Sequence, residues 1–295
     1  NLNRTMNVFA GKNGSGKTAA LEAAVVMMGA YLSAYKTYVP SQYVFNLSSE
    51  ADAHKKVMLA QKEDVLTAGG VPQYPCKVSC AAVWGTDSNE ISFQRVVEKE
   101  GARTKFGGKN PMQPMVVEWE DAIAKANHAD EKLILPLVLY LSSARLWNEN
   151  NSTSKSKKGI SGRTKAFDKC LKKSHGTQLA FDYIEALQNV AVEERKRFPA
   201  YDAILDAVNM AFTDELAPGE RVIFSTRYTD EIVALQTEDG TVVPFTSLSD
   251  GYRNVIKIIL DIAARMCILN PYQKGDALKN TPGIVVIDEI DLSLH

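Results

Sequence analysis

Cysteine is scarce: Cys76, Cys80, Cys170 and Cys267 are the only ones in 295 residues, too few and too scattered for a disulfide framework. Cys76 and Cys80 share a C-x3-C spacing with no second pair behind them, which points to reduced thiols rather than a metal site. Long apolar runs are missing too. The best, LILPLVLYL at residues 133–141, carries Pro136 and is about half the roughly 18 residues that a membrane span needs. No signal peptide is visible, and the expectation of a cytoplasmic location rests on the reduced thiols. Neither sign of charge dominates, and a net charge of −1 gives no global attraction to nucleic acid. There is no internal repeat, and no sustained heptad to support a long coiled-coil arm. His54, His128, His175 and His295 stand apart, so no nuclease constellation is visible. The first residue is Asn1 rather than methionine, and DEIDLSLH ends without a cap or tail. The expectation is a fragment truncated at both ends.

What is present is an ordinary globular composition, 45% hydrophobic and 23% charged, enough for a real core in one large domain or two lobes. The most informative stretch is NVFAGKNGSGKTAALEAA. It reads as a strand at residues 6–10, a glycine-rich turn at 11–16, and a helix from Lys17 towards Tyr35. Gly11-x4-Gly16-Lys17-Thr18 fits the phosphate-binding loop. Glycines let the main chain curl so that its N–H groups face phosphate oxygens, and the helix start adds its dipole. Gly11, Lys12, Asn13, Gly14, Ser15, Gly16, Lys17, Thr18 and Ala19 are the candidate ATP-binding residues. Lys17 is assigned to the β- and γ-phosphates and the Thr18 hydroxyl to Mg²⁺.

GIVVIDEID is the complementary half. A buried parallel strand at residues 284–287 delivers Asp288 at its carboxyl end, where open α/β sheets bind ligands. Asp288 is the second metal-directed residue, through the water shell of Mg²⁺, and Glu289 is the candidate catalytic base for the attacking water. Small GTPases place these two elements much closer together, so a large insertion separates them here.

Between them, residues 46–68 read as helical, and a hairpin is expected on both sides of GTDSNE, from Cys76 onward. Residues 107–114 read as a loop, 133–141 as a buried strand, and 148–165 as a mobile polar loop. Helices fill residues 167–212. Another hairpin follows, through RVIFSTRY, TDEIVALQ, a turn at Glu238-Asp239-Gly240, and TVVPF.

LSDGYRN, residues 248–254, opens a long helix, with Ser249 or Asp250 able to cap it. Taken alone it is a helix cap. Placed after a β-hairpin and before the acidic strand, it resembles the signature of ABC-type ATPases, usually LSGGQ. In that family the signature of one subunit faces the nucleotide of the other, which assigns Ser249, Asp250, Gly251 and Tyr252 to a site in trans. Asp250 in place of the first Gly, and Tyr252 with Arg253 in place of Gln and its neighbour, resemble the SMC/RecF-like branch rather than a transporter engine. The set VFAGKNGSGKTAALEA, VLYLSSARLW, LSDGYRN and PGIVVIDEIDLSLH is similar to stand-alone SMC-like bacterial ATPases. These include the PtuA ATPases of Septu anti-phage systems and retron-associated relatives.

The resemblance implies an α/β fold: an ABC/SMC-like P-loop ATPase head with an antiparallel β subdomain and a helical insertion lobe. Its expected parts are residues 1–145 (phosphate loop and hairpin), 146–245 (basic loop, helical insertion and hairpin) and 246–295 (signature helix and acidic strand), together one composite ATPase domain. VLYLSSARLW resembles the strand leading to the lobe-connecting Q-loop, but no Gln stands there. Ser142, Ser143 and Arg145 can take its place, and Arg145 reads equally well as a surface charge. His295 falls in the D-loop region and is not assigned the switch role.

The run from Lys155 to Lys173 is locally basic, and Lys155, Lys157, Lys158, Arg163 and Lys165 are its candidate nucleic-acid contacts. A solvated loop, or one that positions a partner protein, fits the same residues. The resemblance implies ATP and Mg²⁺ as cofactors, a homodimer or higher homo-oligomer, an HNH-type nuclease partner, DNA or msDNA/RNA contact, and no membrane. The function it implies is an ATPase sensor or regulator of that nuclease in anti-phage defence. The alternatives are a RecF/SMC-like DNA-repair ATPase, or the ATPase part of an OLD-type nuclease with a C-terminal TOPRIM domain.

Overall fold

The computed structural model describes residues 2, 5–35, 67–68, 71–83, 90–99, 102, 104–125, 133–143, 162–172, 177–195, 198–213, 216–224 and 231–290. The chain divides into two compact units, Asn1–Glu118 and Trp119–His295.

In the first unit the loop at residues 11–16 runs into helix α1, Lys17–Ala34. Its later residues Val25, Val26, Met27, Met28, Ala30, Tyr31 and Leu32 are all buried, the mark of a core helix rather than an amphipathic surface one. The short strands β1, Thr67–Ala68, and β2, Val71–Pro72, pair antiparallel. Strands β3, Cys76–Val83, and β4, Glu90–Val97, form the expected hairpin, extended by β5, Lys105–Phe106. Buried Arg95 on β4 lies over the Phe106 ring at 4.8 Å and donates to the Val26 carbonyl of α1 at 3.1 Å. Burial lowers its pKa to about 10. Asn110 adds a second tie, donating to the Ala30 carbonyl at 2.9 Å. Helix α2, Gln113–Lys125, begins inside the segment expected to be a loop. Pro114 sits in its first turn, where the missing N–H costs nothing.

The second unit is built on strand β6, Leu137–Leu141, whose five side chains are all buried. Two helices follow as expected, α3, Gln178–Glu194, and α4, Pro199–Ala211. The hairpin comes next, with β7, Arg221–Phe224, β8, Val233–Gln236, and β9, Val242–Pro244. At its turn, the Thr237 hydroxyl and the Thr241 N–H donate to Asp239 and hold its carboxyl below the ordinary value. Asn209 of α4 accepts from the Val222 N–H at 2.8 Å and donates to the Val222 carbonyl at 3.0 Å. The Tyr201 hydroxyl donates to the Phe224 carbonyl at 2.8 Å.

Helix α5, Asp250–Leu269, packs two faces. Ile256, Leu260, Ala263, Ala264 and Cys267 form one apolar stripe, meeting Ile184, Ile204, Val208 and Val222. On the other, buried Arg265 pairs with Asp261 at 2.9 Å and donates to the carbonyls of Ala166 and Asp168. Helix α6, Ala277–Asn280, leads to β10, Gly283–Ile287, which runs parallel to β6 in the register Gly283↔Leu137 to Ile287↔Leu141. A Cβ on Gly283 would stand 2.3 Å from the Leu137 carbonyl oxygen, so only glycine allows this approach. The parallel pairing agrees with the sequence expectation, but the full burial does not. Ile284 and Val285 are exposed, because β10 pairs with β6 alone among the described residues.

A second correction concerns the basic run. Residues 144–161 lie outside the described residues, but Gly162–Phe167 form a 3-10 turn with Arg163, Thr164, Ala166 and Phe167 buried. Arg163 donates through Nε to the Leu269 carbonyl at 2.6 Å, and through Nη2 to the Leu133 carbonyl at 2.6 Å and Asn270 Oδ1 at 3.0 Å. The amide of Asn270 in turn accepts from the Leu135 N–H and donates to the Leu135 carbonyl and Thr281 Oγ1. These groups are buried, so each broken bond leaves a polar atom without water. Asn270→Ala is expected to lose about 2–4 kcal/mol of stability, read as a lower urea midpoint with an unchanged slope. A midpoint within error of the wild type would show that the amide is dispensable.

Residues 46–66 lie outside the described residues. Among the described residues, no helix is long and apolar enough to cross a membrane.

Candidate nucleotide site

The phosphate loop is shaped by its glycines. Gly14 and Gly16 have φ of 79° and 84°, in the left-handed region that side chains resist. A Cβ on Gly11 would lie 2.7 Å from Ser15 Oγ. The Ser15 N–H donates to the Lys12 carbonyl at 3.1 Å, closing the turn, and Gly16 caps α1 at its start. No acid stands in the first turn of α1, so its positive end is left for an anion. Lys17 folds back, its ammonium donating to the carbonyls of Gly11 at 2.7 Å and Lys12 at 3.2 Å. Exposed Thr18 and Ala19 continue the surface. An exposed loop of main-chain donors, with a cation resting on neutral carbonyls, fits a polyphosphate.

The strand expected at residues 6–10 does not form. These residues join no sheet among the described residues, and Met6 and Val8 are 73% and 75% exposed. A strand exists only with a partner to take its main-chain hydrogen bonds, whatever its own sequence prefers.

In the second unit the acidic end is well defined. Asp288 follows β10 directly, is 5% exposed, and donates its N–H to the Leu141 carbonyl at 2.8 Å. That bond, with the register Ile287↔Leu141, sets Asp288 beside Ser142 at the shared carboxyl end of two parallel strands. Ser142 is 3% exposed, and Ser143 is half-buried. Exposed Glu289 has φ of 52°, a left-handed conformation rare outside glycine. Arg145 and His295 lie outside the described residues.

Ser249, the residue expected to act in trans, is a helix cap in this structure. Ser249 has extended dihedrals, and its hydroxyl accepts from the Tyr252 N–H at 3.4 Å. Asp250 pairs with Arg253 on the same turn, and Tyr252 stacks on Phe212 with centroids 5.3 Å apart. Gly251 is half-buried on that turn. Beneath lies a cavity of about 270 Å³ lined by Phe212, Leu248, Ser249 and Tyr252. It adjoins a larger one, about 830 Å³, between α4 and β7, which contains none of the predicted site residues. Exposed Ser249 and buried Asn270 bracket a 20-residue helix, so about 30 Å separate this cap from the Asn270 amide.

Of the candidate nucleic-acid contacts, Lys155, Lys157 and Lys158 lie outside the described residues, and Lys165 is half-buried. Arg163 is corrected: at 6% exposure, with its guanidinium on two carbonyls and an amide, it is a structural residue.

Residues 1–197 match the AAA domain family. The chain belongs to this family. The AAA domain match takes in the whole phosphate loop, β6 and the basic run. A 58-residue stretch is 43% identical to the retron Vc95 probable ATPase of Vibrio cholerae serotype O1 biovar El Tor. It covers 20% of this chain and 11% of that protein, so the chain matches a small part of its relative's length. An AAA ATPase domain implies nucleotide binding, usually with Mg²⁺. No group of three or more His, Cys, Asp or Glu is arranged to hold a metal among the described residues. A single buried carboxylate such as Asp288 suits a cation carried chiefly by phosphate and water.

Proposed function

We propose that this AAA domain binds and hydrolyses ATP, and that it acts as a sensor or regulator of a nuclease effector in retron- or Septu-type anti-phage defence. The observation that carries the reading is the glycine-shaped loop with Lys17 folded over its carbonyls at the start of α1. Likeness to a retron-associated probable ATPase supports the defence setting.

Lys17 leaves its carbonyls for the β- and γ-phosphate oxygens, while the loop N–H groups and the end of α1 hold the remaining charge. The Thr18 hydroxyl and the Asp288 carboxylate are the protein ligands for Mg²⁺ and its waters. When bound, Mg²⁺ neutralises charge on the phosphates. Glu289 accepts a proton from the attacking water as its oxygen bonds to the γ-phosphorus and the bond to the β–γ bridging oxygen breaks. Ser143 and Arg145 are assigned to the Q-loop position, and Ser249, Asp250, Gly251 and Tyr252 to the nucleotide of a second copy.

This reading predicts association that requires ATP. The full-length protein carrying Glu289→Gln should elute as a dimer or larger species with ATP and Mg²⁺, and as a smaller one with ADP. Pull-down from the native host should return an HNH-type nuclease. Identical elution in both nucleotides would overturn the trans signature, and a pull-down without a nuclease would overturn the regulator role.

A further inference from the structure

Asn13-Gly14, inside the phosphate loop, is the only Asn-Gly pair in the sequence. An asparagine carboxamide is lost when the main-chain nitrogen of the next residue attacks it. A side chain on that next residue hinders the approach, and glycine has none. Asparagine is one of the heat-labile residue types, and glycine after it removes the main obstacle.

The structure leaves this pair unguarded. Both residues are exposed, and among the described residues no hydrogen bond engages the Asn13 carboxamide or the Gly14 N–H. The bond that closes the turn, from the Ser15 N–H to the Lys12 carbonyl at 3.1 Å, spans the pair without using either group. Gly14 holds a φ of 79°, and even a Cβ added there would meet nothing within 4 Å, so the peptide has room to rotate. The amides of Asn110, Asn209 and Asn270 differ, each being tied by several hydrogen bonds.

Local charge favours the same reaction. Attack begins with loss of the Gly14 amide proton, which leaves negative charge on the nitrogen. Helix α1 starts just beyond, capped by Gly16 and with no acid in its first turn, and the Lys17 ammonium rests on the carbonyls of Gly11 and Lys12. A positive field suited to phosphate therefore also stabilises this anion.

We propose that Asn13 is a deamidation site through which the nucleotide-free loop loses its capacity for phosphate. The Gly14 nitrogen bonds to Asn13 Cγ, the Cγ–Nδ2 bond breaks, and the amide nitrogen leaves as ammonia with the Gly14 proton. Water then opens the resulting five-membered imide at one of its two carbonyls, giving aspartate or isoaspartate. Either product sets a carboxylate among donors aimed at phosphate, and isoaspartate also lengthens the main chain by one carbon inside the turn. Bound phosphate takes up the Gly14 N–H as a donor, so nucleotide protects the pair. The loss of binding rests on the reading of the chain as an ATP-binding domain, whereas the deamidation does not.

The test is to hold the full-length protein warm at mildly alkaline pH, without nucleotide and with saturating ADP and Mg²⁺, beside a synthetic peptide of residues 6–20. Mass spectrometry of digests should show the Asn13 peptide exchanging NH for oxygen, in two forms separable by chromatography, several times more slowly with nucleotide bound. ATP affinity of the nucleotide-free sample should fall in step, the converted protein binding about tenfold or more weakly. Asn13→Asp should show the weakened affinity from the outset, and Asn13→Gln should keep its own starting affinity throughout. An intact Asn13 in the folded protein after the free peptide has converted would overturn the proposal. Full conversion with unchanged ATP affinity would overturn the loss of function. Equal rates with and without nucleotide, in protein that binds ADP, would overturn the protection. If the wild type binds neither nucleotide at the start, the ATPase reading fails, and the mass of the Asn13 peptide still decides the modification.

Discussion

Lys17→Ala is expected to abolish nucleotide binding while leaving the fold intact. In this structure the ammonium makes two hydrogen bonds, to the carbonyls of Gly11 and Lys12, at an exposed loop. Exposed carbonyls regain water when the side chain is removed, so stability should change by no more than about 0.5 kcal/mol. Bound phosphate has no such substitute. Two charge-assisted contacts at about 1.5–3 kcal/mol each correspond to a loss of roughly a hundredfold to ten-thousandfold in affinity. Isothermal titration with ATP should show no heat of binding at concentrations that saturate the wild type, with coincident melting curves of the two proteins without nucleotide. Binding within tenfold of wild type would remove Lys17 from the phosphate site.

Glu289→Gln should separate binding from turnover. The amide keeps the size and hydrogen bonding of the carboxylate but accepts no proton, so ATP should bind normally and hydrolysis should fall by about a hundredfold or more. Wild-type turnover by this variant would sink the base assignment. The backbone offers a second readout at the same position. Glu289 holds a φ of 52°, which costs an L-residue about 1 kcal/mol and glycine almost nothing. Glu289→Gly should therefore be as inactive as Glu289→Gln and melt no lower than the wild type. Strain kept at a residue that could relieve it by mutation is the pattern expected where geometry serves chemistry.

The parts legible in the sequence are those whose cause is local. Gly11, Gly16, Lys17 and Thr18 mark the loop because the turn itself needs those residue types at that spacing. Ser249 marks the start of α5 because a cap acts within its own first turn. Both hairpins follow from alternation around a turn. What escaped depends on distant partners. Residues 6–10 have a strand's composition but no strand to pair with among the described residues. Arg163 reads as one more solvated charge in a basic run until the carbonyls of Leu133 and Leu269 are found beside it. One signal was available: Asp261 and Arg265 are four apart on an otherwise apolar helix face, the spacing of an ion pair that a core can enclose. Asn270 gave none, because an amide that completes the pairing of another segment looks like any helix-ending polar residue.

The double hold of Asn209 on Val222, with Tyr201 on Phe224, has a consequence for assembly. A strand with free main-chain groups along its border is a template for another chain, and such borders seed swapping and fibre growth. Here two side chains of the neighbouring helix fill the places a recruited strand would take. On that border the protein is closed to irreversible, self-templating growth.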